Sequence, residues 1–161
     1  MIRFAVPSDR EAVNALRKEV NDLHVAGRPD IFKPGFGEAL QDHVNLYLNR
    51  QIGYAAVAEI DGEVAGAVLV DYIDKPESPY NLGRRFVHIA EICVDDRFRR
   101  RGVGHQLMEF VKADAKEKGY ARIELDVWAF NDALAFYEAE GFTTYRRYME
   151  INIGPVEKES T

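Results

Sequence analysis

The run Arg99-Arg100-Arg101-Gly102-Val103-Gly104 constrains this chain most, because of what stands on either side of it. A strand-like apolar run, Ile89–Val94, ends just before it, and apolar residues at helical spacing (Val103, Leu107, Phe110, Val111) come after. A strand that turns through glycines into a helix aims consecutive backbone N–H groups and the positive helix end at one place, with guanidinium groups beside it. The missing side chains at Gly102 and Gly104 let a ligand come close to the backbone. The turn reads as a phosphate site.

The rest of the sequence supplies the elements around that turn. Met1–Val6 alternates like a short strand, and Ser8-Asp9-Arg10-Glu11 reads as a capping box opening a helix with Ala12, Val13, Leu16, Val20 and Leu23 on its apolar stripe. Ala26–Gly37 is a loop, and the spacing predicts a second helix over Glu38–Arg50. Tyr54–Ile60 and Val64–Ile73 flank Asp61-Gly62, a type I′ hairpin signal. After a loop over Asp74–Arg85 come a strand over Phe86–Val94, the helix after the turn, a strand over Ile123–Val127, a short helix over Asp132–Glu140 and a last strand over Phe142–Ile153. The expected fold is α/β with a mixed sheet in the order β-α-α-β-β-β-α-β-α-β, parallel across the helical crossover. One domain is expected over 1–153, with 154–161 as a flexible tail.

Composition narrows the function classes. With 161 residues, 47% of them hydrophobic and 30% charged, the chain can bury one sizeable core. It contains no run of about 18 apolar residues and no signal-peptide-like start, so a cytoplasmic location and no membrane partner are expected. The single cysteine, Cys93, excludes an intramolecular disulfide and a cysteine-only metal site, and no metal is expected. A net charge of −6 argues against a nucleic-acid partner and for a cationic one.

Known phosphate loops are then separable. A P-loop needs Gly-Lys-Ser/Thr, which is absent, and the third glycine of the dinucleotide fingerprint is replaced by Leu107. What remains is Arg-x-x-Gly-x-Gly at Arg99, Gly102 and Gly104, in this order of elements. Here the chain resembles the GCN5-related N-acetyltransferase (GNAT) family, which uses such a turn for the pyrophosphate of acetyl-coenzyme A. Asn131 followed by Ala135-Phe136-Tyr137-Glu138 and Gly141-Phe142 is similar to a second signature of that family. The resemblance runs from Ile2 to about Phe142 and implies a GNAT-like acyltransferase fold.

By that resemblance Arg99, Arg100, Arg101, Gly102, Val103 and Gly104 hold the pyrophosphate. Backbone groups at Cys93 and Val94 hold the pantetheine arm and the oxyanion. Asn131 contacts the cofactor, and Tyr137 faces its sulfur as the acid that protonates the leaving thiolate. The expected activity is acetyl transfer from acetyl-CoA to a primary amine, small molecule or peptide, the alternative being a non-catalytic acyl-CoA sensor. The general base is Glu91, a carboxylate between Ala90 and Ile92, or else Asp126 or a water relay. The loop over Gly27–Pro34 lines the acceptor site. His24 is read as a capping or surface residue, Trp128 as core or interface, and the Cys93 side chain as a small buried apolar group. A homodimer is a family expectation.

Overall fold

The computed structural model describes residues 1–155, and it divides into two compact units, Met1–Asn131 and Asp132–Thr161. In the first unit, β1 (Ile2–Phe4), β2 (Gly53–Ile60), β3 (Glu63–Lys75), β4 (Arg84–Val94) and β5 (Ile123–Glu124) form one sheet in that spatial order. The first three pairings are antiparallel and the last, β4 with β5, is parallel. The expected hairpin is present: Asp61 and Gly62 have φ of +50° and +79°, the two positive values a type I′ turn demands. At Gly53 the strands approach so closely that a Cβ would lie 1.7 Å from the Val70 carbonyl oxygen.

Helix α1 (Arg10–Gly27) covers one face, where Val13 and Leu16 cluster with Ala55, Val57, Ala67, Leu69 and Cys93. Helix α4 (Val103–Glu117) covers the other; its Phe110 meets Phe4 and Tyr54, and Leu107, Met108 and Val111 are sealed from solvent. Between α1 and β2 the chain makes two short helices, α2 (Glu38–His43) and α3 (Asn45–Leu48), in place of the single helix expected over Glu38–Arg50. The second unit contains α5 (Leu134–Ala139).

Three further expectations are corrected. The start of α1 is set by Asp9 rather than by Ser8: its carboxylate accepts the Val6 N–H and grips Arg3 through both oxygens, at 2.8 and 3.0 Å. The strand expected over Ile123–Val127 stops at Glu124. Residues 142–153, expected as a last strand, have no regular structure. The tail expected over 154–161 falls mostly on 156–161, outside the described residues.

Candidate functional site

Strand β4 changes character along its length. At its start, Val87 and His88 pair with Ile123 and Glu124 of β5 on one side while Tyr72 and Asp71 of β3 flank them on the other. After β5 stops, β4 runs on to Val94 paired, among the described residues, with β3 alone. A bulge marks the change: Ile89 pairs with Val70 and Glu91 with Leu69, leaving Ala90 as the extra residue. Two bonds set the phase of the strand beyond the bulge. The Val87 N–H donates away from β3, to Arg122, and the Asp95 N–H donates toward β3, to Ala65. Alternation along the antiparallel ladder then makes Cys93 and Ala67 a hydrogen-bonded pair and turns the N–H groups of Ile92 and Val94 to the open edge.

That phase redistributes the expected backbone contacts. Val94 and Ile92 turn their N–H groups outward, while the Cys93 N–H is committed to β3. The Cys93 side chain is buried as expected, with its thiol 3.8 Å from the Ala67 oxygen. Burial pushes that thiol up to about 12.

The open edge leads directly into the arginine-glycine turn. Asp95 closes a 3-10 turn over Asp96–Phe98 by accepting the Arg97 N–H. Arg100 and Gly102 then take φ of +64° and +73° before α4 begins. The first bond within the helix runs from Gln106 to Gly102, so the N–H groups of Val103, Gly104 and His105 precede the repeating ladder. A Cβ built on Gly102 would touch nothing within 4 Å. The three arginines differ in engagement. Arg99 is paired with Asp96 at 2.8 Å, Arg101 lies over the Phe98 ring, and Arg100 has no ion pair among the described residues.

Glu91 lies beside the open edge and is held by a residue that sequence reading missed. Arg17, on the sheet-facing side of α1 and almost wholly buried, donates Nε to Glu91 Oε2 at 2.8 Å. Its Nη1 reaches both Asn14 Oδ1 and the Leu40 carbonyl, at 2.8 and 2.7 Å, and its guanidinium lies over the Phe36 ring. Glu91 Oε1 accepts no hydrogen bond among the described residues, and the side chain is 27% exposed. The available signal for Arg17 was an arginine placed directly after Leu16 on the apolar stripe of α1. Asp126, the other carboxylate considered, is exposed beyond the end of β5.

Four aromatic side chains gather in the same unit. His24, from the last turns of α1, stacks on Phe32 at 5.1 Å; Phe32 meets Trp128 edge-on at 5.2 Å; Trp128 stacks on Phe130 at 6.0 Å; and Phe130 returns to His24 at 6.1 Å. All four are half-buried. Burial lowers the His24 imidazole below its ordinary range, and the charge of Glu91 partly opposes that.

Asn131 ends the first unit in a turn whose N–H donates to the Trp128 carbonyl. Tyr137 lies in the second, on α5, with its ring against Phe136 and Phe142 at 5.4 and 6.0 Å. Its carbonyl accepts the Phe142 N–H across Gly141, whose φ is +102°. A left-handed helix cap thus explains the spacing of Tyr137, Gly141 and Phe142. The structure therefore unites Glu91, Val94 and the arginine-glycine turn along one edge, while Tyr137 belongs to the other unit.

A family model described as "Acetyltransferase (GNAT) family" matches residues 17–142. The chain is 37% identical over 150 residues to the L-amino acid N-acetyltransferase AaaT of Escherichia coli K12, spanning 88% of this chain and 82% of that protein. It spans only about half the length, 56% and 52%, of two other curated N-acetyltransferase relatives. The crystal structure of a mutant BH1408 protein from Bacillus halodurans superposes with a TM-score of 0.90 at 28% identity, over 95% of this chain and 99% of that one. A predicted acetyltransferase from Clostridium acetobutylicum, solved with acetyl-CoA, shares the fold at 20% identity and a TM-score of 0.72, over 94% and 95% of the two chains.

Proposed function

Because the chain belongs to the GNAT acetyltransferase family, we propose that it lays acetyl-CoA along the open edge of β4 and transfers the acetyl group directly to a primary amine. One observation carries this reading: the unpaired edge of β4 runs straight into the arginine-glycine turn at the start of α4. The pantetheine arm carries amide groups that match free strand N–H groups, and its pyrophosphate matches a helix N-terminus with Arg100 beside it. The family match takes in residues of both units, which supports one catalytic domain over 1–153.

The chemistry rests on the groups along that edge. An alkylamine with a pKa of about 10.4 is neutral in roughly one molecule in a thousand at pH 7, a handicap of about 4–5 kcal/mol. Glu91 Oε1, directly or through a water, accepts the ammonium proton, while Arg17 fixes the other oxygen. The neutral amine attacks the thioester, and the oxyanion is met by an N–H at Ile92 or Val94. The tetrahedral intermediate collapses with loss of coenzyme A thiolate, to which Tyr137 gives its proton in the role the resemblance assigns it; Asn131 contacts the cofactor arm. The Cys93 thiol, buried and held un-ionised, is unsuited to carry the acetyl group.

Calorimetry with acetyl-CoA, joined to a thiol-release assay across amines, tests the reading. Micromolar binding that Gly104→Glu abolishes is expected, with thiol release that Tyr137→Phe slows by about 10- to 100-fold. Binding without release for every amine would instead favour an acyl-CoA sensor, and absence of binding would sink both.

A further inference from the structure

The aromatic quartet gives the acceptor a chemical class, an inference that rests on the transferase reading. We propose that His24, Phe32, Trp128 and Phe130 form the floor for an amine borne on a flat, aromatic body, with Glu91 receiving the ammonium end.

The contacts among the four rings form a closed circuit, alternately stacked and edge-on, with spacings of 5.1 to 6.1 Å. Such geometry fixes the rings against one another, so little side-chain freedom is lost when a ligand lies on them. They come from the end of α1, the loop after it and the segment after β5, and they stay half-buried. Phe130 also presses on the backbone at Gly27, where a Cβ would lie 2.4 Å from its ring.

Charge and flatness decide between acceptors. Burial favours the uncharged form of His24, and the other three rings carry no charge. Aromatic faces attract a cation, and Glu91, whose charge reaches His24, offers a carboxylate oxygen, Oε1, that accepts no hydrogen bond among the described residues. Four aromatic rings with a carboxylate whose charge reaches them suit an ammonium group on an aryl body. A polyamine or an aminoglycoside has no aromatic face to lay on the rings.

Trp128 is the only tryptophan in the chain, so its fluorescence reports on the quartet independently of turnover. Phenethylamine, titrated in the presence of coenzyme A, should shift Trp128 emission saturably, whereas spermidine and kanamycin at equal concentration should not. In the thiol-release assay Phe32→Ala should raise the KM for phenethylamine at least about 10-fold with kcat within about 3-fold. Acetyl-CoA affinity should be unchanged, and Phe32→Tyr should restore the KM. Spermidine or kanamycin turning over at a lower KM than phenethylamine would overturn the aromatic assignment and leave the transferase reading intact. So would a Phe32→Ala KM equal to that of the parent. A saturable, Phe32-dependent emission change without thiol release from any amine would support the aromatic floor and overturn the transferase reading.

Discussion

In its first half β4 has a strand on both sides at Val87 and His88, and its flank is tied by ion pairs. Glu124 of β5 is buried and accepts from Arg84 at 2.6 and 3.2 Å and from Arg122 at 2.9 Å. From Ile89 to Val94 the same strand keeps β3 but loses β5, and its ties come from α1 through Arg17 and Glu91. The first half spends its backbone hydrogen bonds on the sheet, and the second leaves one row of them for a ligand. An exposed row of strand N–H groups invites pairing with any passing chain. Here the bulge at Ala90 and the helix-start turn interrupt it, which limits the open edge to a few residues.

The largest effect that would break this comparison is expected at Arg17. Arg17→Ala strands Glu91 as well as the acceptors at Asn14 and Leu40, and should cost about 3–4 kcal/mol, seen as a drop of about 10 °C in melting temperature. A loss below about 1 kcal/mol would mean that the open half does not depend on α1. A paired substitution tests the phase of the ladder. Cys93→Pro deletes a β3 bond and should cost roughly 3 kcal/mol, whereas Val94→Pro deletes an outward N–H and should cost roughly 1 kcal/mol while weakening acetyl-CoA at least about 10-fold by calorimetry. If the two prolines destabilise equally, the assigned phase is wrong.

Smaller effects belong to the closed half. Glu124→Gln releases two partly exposed arginines to water, and urea unfolding should show a loss of about 1 kcal/mol with acetyl-CoA affinity unchanged. The smallest concerns His88, whose imidazole is raised above its usual range chiefly by its hydrogen bond with Asp71. A raised folded value means this pair stabilises in full below the unfolded pKa of about 6.5 and loses that contribution as pH climbs through the folded value. The melting-temperature gap between the parent and His88→Gln should therefore be wider at pH 5.5 than at pH 8.5. A gap that grows with pH would contradict the pairing.

What the sequence disclosed, and what it hid, divides along similar lines. The hairpin at Asp61-Gly62, the turn at Arg99–Gly104 and the cap at Gly141 were legible because each needs a left-handed residue at a fixed offset, and glycine marks that need locally. The early stop of β5 at Glu124 was hidden because Leu125-Asp126-Val127 keeps the alternation of a strand. Pairing partners, which alternation does not report, decide where a strand ends. The Arg17–Glu91 pair joins residues 74 positions apart, a distance over which local pattern carries no information. The aromatic quartet is invisible one residue at a time, where His24 reads as a capping or surface group and Trp128 as core or interface. Only the fold brings the end of α1 to the segment after β5.

The buried Cys93 has a practical consequence at the bench. It is the chain's one cysteine, enclosed by α1 and the sheet and resistant to ionisation. A colorimetric disulfide reagent reacts with thiolate, so it will meet coenzyme A sulfur in solution and leave the folded protein untouched. Release of coenzyme A can then be followed with no background from the folded protein's own sulfur, and in a separate sample without coenzyme A slow labelling of Cys93 becomes a clock for unfolding.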